Sequence, residues 1–199
     1  ITLDNTIDPI NITGLSQFEL NSIFLSSSFK NDIIILGDLP SQNNISVAEF
    51  HGSVTFDGVY DGAISIIRGI GGDLIFSGVA SDPDNPGAGD RTINSDFTLG
   101  EAIEGNVTFG AENVVDAVNF SGTLSAASIG NIDLHGDFSG LITTDLDGDK
   151  RFDEGESTVG DFSVFGDYSG STIGILGIGN TLIGGNLTTT SATGATAFY

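Results

Sequence analysis

One short phrase recurs along this chain and limits what it can fold into: glycine, then Asp, Asn or Ser, then an apolar residue, any residue, and a second apolar residue. It opens at Gly52, Gly72, Gly105, Gly130 and Gly160, with a weaker copy at Gly185 that reads Gly-Asn-Leu-Thr-Thr. The apolar-x-apolar half has the period of two expected of a strand with one buried face, and the Gly-Asx half is turn chemistry. The openings are 20, 33, 25, 30 and 25 residues apart, and the two long gaps each hold an evident insertion, 81–94 (SDPDNPGAGDRTIN) and 144–156. Removing about ten residues from each leaves a unit of roughly 20–25, the range of stacked repeats. A second phrase supports the period: Gly136-Asp-Phe-Ser-Gly140 returns as Gly166-Asp-Tyr-Ser-Gly170.

These patterns predict an all-β chain, a right-handed parallel β-helix or solenoid with an N-terminal cap, in which each repeat buries its apolar positions against the one before. The alternative is a β-sandwich or jelly roll, which also has short strands between Gly-rich turns. Asp outnumbers Glu by 20 to 7, which favours turns over helices. Gly, Asn and Asp at regular intervals are expected at corners because they accept positive φ. The repeats occupy 51–199 and a strand or cap region 1–50, within a single domain. In the cap, 17–25 fits a helix or a strand equally, and Asp32–Leu36 is expected to enter the sheet. The leading segment 1–13 carries apolar Ile1, Leu3, Ile7, Ile10 and Ile12. It is read either as the chain's own first strand or as a strand added to an open edge of a neighbouring subunit.

The segments Gly130-Asn-Ile-Asp-Leu-His-Gly-Asp-Phe-Ser-Gly140 and Gly166-Asp-Tyr-Ser-Gly-Ser-Thr-Ile-Gly-Ile-Leu-Gly177 resemble the repeats of bacterial surface and secreted β-helix proteins. The resemblance extends over about residues 50–190 and implies a β-helix in an extracellular or cell-surface setting. A first residue Ile1 in place of Met fits removal of a leader. The longest apolar run, Ile33–Leu36, is four residues, far below the ~18–20 of a membrane-spanning helix, so direct membrane insertion is not expected.

Charge removes further classes. Five Lys and Arg against 27 Asp and Glu give a net charge of −22, which excludes nucleic-acid binding by phosphate neutralisation and attraction to an anionic bilayer. With no Cys, disulfides, thiolate metal sites and Cys nucleophiles are impossible. Gly has no three-residue period, so the chain is not collagen-like, and 39% hydrophobic residues are too many for a disordered chain.

The acidic residues are concentrated at 145–156, Asp-Leu-Asp-Gly-Asp-Lys-Arg-Phe-Asp-Glu-Gly-Glu. Read as a twelve-residue calcium loop, this segment places carboxylates of Asp145, Asp147, Asp149, Asp153 and Glu156 at positions one, three, five, nine and twelve, with the Arg151 carbonyl at seven. Calcium takes six to eight hard oxygens, which this set supplies, and carboxylates so close repel one another unless a cation lies among them. The loop resembles EF-hand-like loops, including those of secreted modules. It departs from them at position six, where Lys150 replaces the turn glycine and Gly148 stands two residues earlier, and no flanking helices are expected. A second acidic loop holds Asp82, Asp84, Asn85 and Asp90 without a ligand spacing, and reads as a protruding loop with a second calcium site as its alternative.

Catalytic constellations are scarce. His51 and His135 both lie in strand-like phrases, and no Gly-x-Ser-x-Gly elbow is present. Polysaccharide lyases on β-helices commonly combine calcium with an Arg or Lys base, which nominates Arg68 and Arg91. Aromatic platforms for glycans are few, with no Trp and three Tyr; the Phe residues fall mostly in core phase. Sequons at Asn11, Asn44, Asn106, Asn119 and Asn186 are about as many as this composition gives by chance. The expectation is a non-enzymatic, extracellular structural protein, stabilised by calcium and self-associating through edge strands or solenoid ends as a subunit of a surface layer, filament or adhesin. The alternative is a calcium-dependent, polysaccharide-active β-helix enzyme, and glycans are the further partner class.

Overall fold

A computed structural model describes residues 11–12, 22–29, 32–36, 44–57, 62–77, 91–110, 117–147, 157–173 and 176–188. Among these residues there is no helix. Strands, numbered along the chain, form two long sheets. The eight-stranded sheet runs β1 (Asn11–Ile12), β3 (Ile33–Leu36), β5 (Val54–Asp57), β7 (Leu74–Phe76), β10 (Val107–Phe109), β13 (Ile132–Leu134), β15 (Phe162–Val164), β17 (Thr181–Ile183). The seven-stranded sheet runs β2 (Ser22–Phe29), β4 (Asn44–Phe50), β6 (Ala63–Ile66), β9 (Asp96–Leu99), β12 (Thr123–Ser125), β14 (Leu141–Thr143), β16 (Ser171–Ile173). A third sheet pairs β8 (Arg91–Ile93) with β11 (Val118–Phe120).

Every described pairing is parallel, as in Val54↔Leu74 and Val107↔Ile132, whereas sandwiches and jelly rolls are antiparallel. The chain alternates between the long sheets, so strands adjacent in space belong to successive passes. The ladder crosses residue 50 without a break, since β4 pairs with β6 and β3 with β5. The ambiguous segment 17–25 is strand from Ser22 onward, and Asn11–Ile12 pairs with Ile34–Ile35 of the same chain.

The phrase dictates the burial. Its two apolar residues point inward and the residue between them outward, as in Leu74, Ile75 and Phe76 of β7. Like residues therefore pile up in columns. Phe56, Phe76 and Phe109 share a register, with ring centroids 5.6 Å apart for the first pair and 4.5 Å for the second. Isolated bridges extend two more columns: Phe50, Ile70, Ile103, Ile129, Val159 and Ile178; and Phe120, Phe138, Tyr168 and Leu187. Burying each such side chain stabilises the fold by about 1.5–3 kcal/mol, and offset or edge-on ring pairs add about 0.5–1.5 kcal/mol.

Several expectations are corrected by this geometry. The glycines that open the phrase are not there for positive φ, which among the described glycines occurs at Gly110 and Gly177. They are there for close approach: a Cβ on Gly105 would lie 2.5 Å from the Gly72 carbonyl oxygen, and one on Gly130 2.1 Å from that of Gly105. The last copy of the phrase also opens at Gly179 and not at Gly185. Gly179 sits over Gly160, while Gly185 belongs to a second column over Gly166 and Gly136. Passes without a long insertion are thus 18 to 21 residues, as from Asn119 to Asp137, Asp161 to Asn180 and Asp32 to Ser53. Of the insertion 81–94, residues 81–90 lie outside the described residues, and Arg91–Ile93 is not loop but strand β8, with Ile93 buried.

Candidate functional site

Between the strands the chain turns a corner, and there the backbone ladder would leave N–H groups without partners. The second residue of the phrase supplies them. The Asp32 carboxylate accepts from Ser53 N–H at 2.8 Å, the Ser53 hydroxyl from Asp73 N–H at 3.1 Å, and the Asp73 carboxylate from Asn106 N–H at 2.8 Å. Further along the same row, Asn131 Oδ1 accepts from Asp161 N–H at 3.0 Å and Asp161 Oδ1 from Asn180 N–H at 2.8 Å. A second row serves the next corner: Asn119 to Asp137 at 2.7 Å, Asp137 to Asp167 at 2.8 Å, and Asp167 to Asn186 at 2.7 Å. Asp96 begins a third, accepting from Thr123 N–H. The backbone N–H of Asn186, followed by its side-chain amide, holds the Asp167 carboxyl below the usual carboxylate range.

These rows were not foreseen as such. Asp and Asn beside Gly read as local turn formers, yet each side chain reaches the backbone of the next pass, 18 to 33 residues away. The available signal was the fixed place of Asx in the phrase.

Of the proposed calcium ligands, Asp145 and Asp147 are described, and Asp149, Arg151, Asp153 and Glu156 lie outside the described residues. Asp145 follows β14 directly and is buried, 7% exposed, with its N–H on Thr143 Oγ1 at 3.0 Å. Buried Thr144 donates from Oγ1 to the Ser157 carbonyl at 2.9 Å. That bond joins the described residues on either side of 148–156, with Asp145 buried beside it and Asp147 exposed. The fit to a cation is chemical: calcium prefers hard carboxylate oxygens such as those of Asp145 and Asp147. Among the described residues no group of three or more His, Asp or Glu is placed to hold a metal. Asp82, Asp84, Asn85 and Asp90 lie outside the described residues.

The histidines and Arg68 are surface groups. His51 Nε2 is 3.6 Å and Arg68 Nη1 3.5 Å from the Glu49 carboxylate. His135 stacks on Phe165, centroids 4.5 Å apart. Both histidines directly follow strands. Arg91 lies on β8. Tyr168, packed on Phe138 and Phe162, has its phenol pushed up by burial.

Comparison with known proteins finds no matching family model, no matching curated protein and no matching solved structure.

Proposed function

We propose that the chain is a parallel β-solenoid that acts as a calcium-stabilised extracellular structural protein, associating through its ends as a subunit of a surface layer, filament or adhesin. The observation that carries this reading is the C-terminal end of the ladder. Strand β17 is paired on one side among the described residues. Its pass also exposes positions that are buried everywhere else: Leu187 is 51% exposed, whereas Phe120, Phe138 and Tyr168 below it in the column are at most 6% exposed. Ile178 and Ile183 are likewise only partly buried at the tops of otherwise buried columns. A strand edge with no partner among the described residues and with half-exposed apolar side chains is a template for another strand.

In this proposal calcium is held by the carboxylates of Asp145, Asp147, Asp149, Asp153 and Glu156 and the carbonyl of Arg151. It neutralises the acidic excursion and fixes the corner between β14 and the next pass. Size-exclusion chromatography with light scattering, and electron microscopy, in calcium and in chelator test the proposal. Assembly that grows with protein concentration and is favoured by calcium is expected; a strict monomer in both conditions at high concentration overturns it.

A further inference from the structure

After β10, β13, β15 and β17 stand Gly110, His135, Phe165 and Gly184, with their N–H groups bonded to the Phe76, Phe109, Leu134 and Val164 carbonyls in one continuing ladder. The His135 and Phe165 rings are 4.5 Å apart and only 4° from parallel. Since that spacing is close to the ~4.8 Å between passes, the rings are stacked along the direction in which the passes stack. Phe165 therefore shows one face to His135 and the other toward the place above Gly184, which has no side chain. The ring is 48% exposed. An exposed Phe stands apart here, since Phe50, Phe56, Phe76, Phe97, Phe109, Phe120, Phe138 and Phe162 are at most 2% exposed. Two residues beyond the stacked pair lie exposed Asp137 and Asp167, consecutive in their row, with Asn186 next.

We propose that the open face of Phe165 is a docking site for the guanidinium of an arginine side chain on a basic partner peptide, the planar cation stacking on the ring beside Asp167. An aromatic face attracts cations, and arginine both stacks on rings and matches a carboxylate with its fork of N–H donors. The Asp167 carboxyl, held ionised by the Asn186 amides, supplies the acceptor. At −22 the chain repels an acidic ligand and draws a basic one. A neutral sugar would use the ring and leave the charge of both aspartates unmatched.

The test compares the blocked peptides Gly-Arg-Arg-Gly and Gly-Lys-Lys-Gly on the full chain by NMR titration at ~0.15 M salt, where unspecific attraction is screened beyond ~8 Å. The Arg peptide is expected to bind about two- to five-fold more tightly, the range of one exposed cation–π contact, with its δ-methylene resonances shifted upfield by the ring. Phe165→Leu removes the preference and the upfield shift. Asp167→Asn, which keeps the oxygen acceptor of its row, weakens the Arg peptide and not the shift pattern of the core. Equal binding of the two peptides without a ring shift in the unsubstituted protein overturns the proposal, and needs no variant to fold. So does an Arg preference that survives Phe165→Leu, or binding of a neutral cello-oligosaccharide in place of the Arg peptide.

Discussion

Replacing Gly130 by alanine tests whether the recurrent glycine is a matter of close approach. The added Cβ would stand 2.1 Å from the Gly105 carbonyl oxygen and 3.0 Å from its carbon, where ordinary contact needs more than 3 Å, so the two passes must separate by about 1 Å at this corner. Hydrogen bonds crossing the same seam, Gly130 N–H to Ile103 at 3.3 Å and Val107 N–H to Asn131 at 2.8 Å, would stretch beyond useful geometry. Two such bonds at about 1 kcal/mol each and an overpacking cost of about 1–3 kcal/mol give a loss of about 3–5 kcal/mol. For a chain of this size that is a fall in Tm of about 10 °C, read by circular dichroism. Gly177→Ala is the control: its Cβ would meet nothing within 4 Å although φ is 138°, and about 1–2 kcal/mol is expected from backbone strain alone. A Gly130→Ala protein within 1 kcal/mol of the original, or one less affected than Gly177→Ala, refutes the close-approach account.

Ser95 Oγ is buried, the residue 0% exposed, without a hydrogen-bond partner among the described residues; Ser95→Ala is expected to stabilise the chain by about 1 kcal/mol in denaturant titration. Asp167 has a depressed folded-state pKa, so its contribution to stability is fully present above the unfolded value near 4 and is lost as pH falls through the folded one. Carboxyl NMR should place its midpoint below that of an unstructured Asp, and Asp167→Asn should flatten the acid limb of the stability curve. Tyr168, with its phenol shifted up by burial, should give an ultraviolet titration step above the ordinary tyrosine range, and Tyr168→Phe should abolish that step. If calcium occupies the 145–156 loop, millimolar calcium raises Tm and Asp145→Ala or Glu156→Ala removes the increment; an unchanged Tm in all three proteins counts against the site.

The strands were legible because the phrase marks both burial phase and turn: Val54 and Phe56, Leu74 and Phe76, and Val107 and Phe109 are all buried pairs. Parallel stacking was legible from the period. What could not be seen locally is what depends on the partner pass. Gly105 reads as a turn residue until Gly72 is found under it, and Asp73 as a turn former until its carboxylate meets Asn106 N–H, 33 residues on across an excursion. Gly185 reads as the next opening of the phrase because two Gly-Asx pairs follow each other within one pass, at Gly179 and Gly185. Arg91–Ile93 was hidden by the Pro- and Asp-rich residues preceding it. Of the acidic segment 145–156, spacing nominates the residues, and what no spacing shows is the Thr144–Ser157 hydrogen bond between the described residues on either side of it.

The rows of Asp and Asn that join one pass to the next hold the same bond whether 18 or 33 residues intervene. Length along the stacking direction is therefore set by how many passes the chain makes, at ~4.8 Å each, and not by how many residues it has. The eight strands of the longest sheet span seven such steps, or about 34 Å. Residues added at a corner thicken the molecule, and only a further Gly-Asx phrase lengthens it. The chain is in this sense a ruler graduated in glycines, on which reach and decoration can be altered independently.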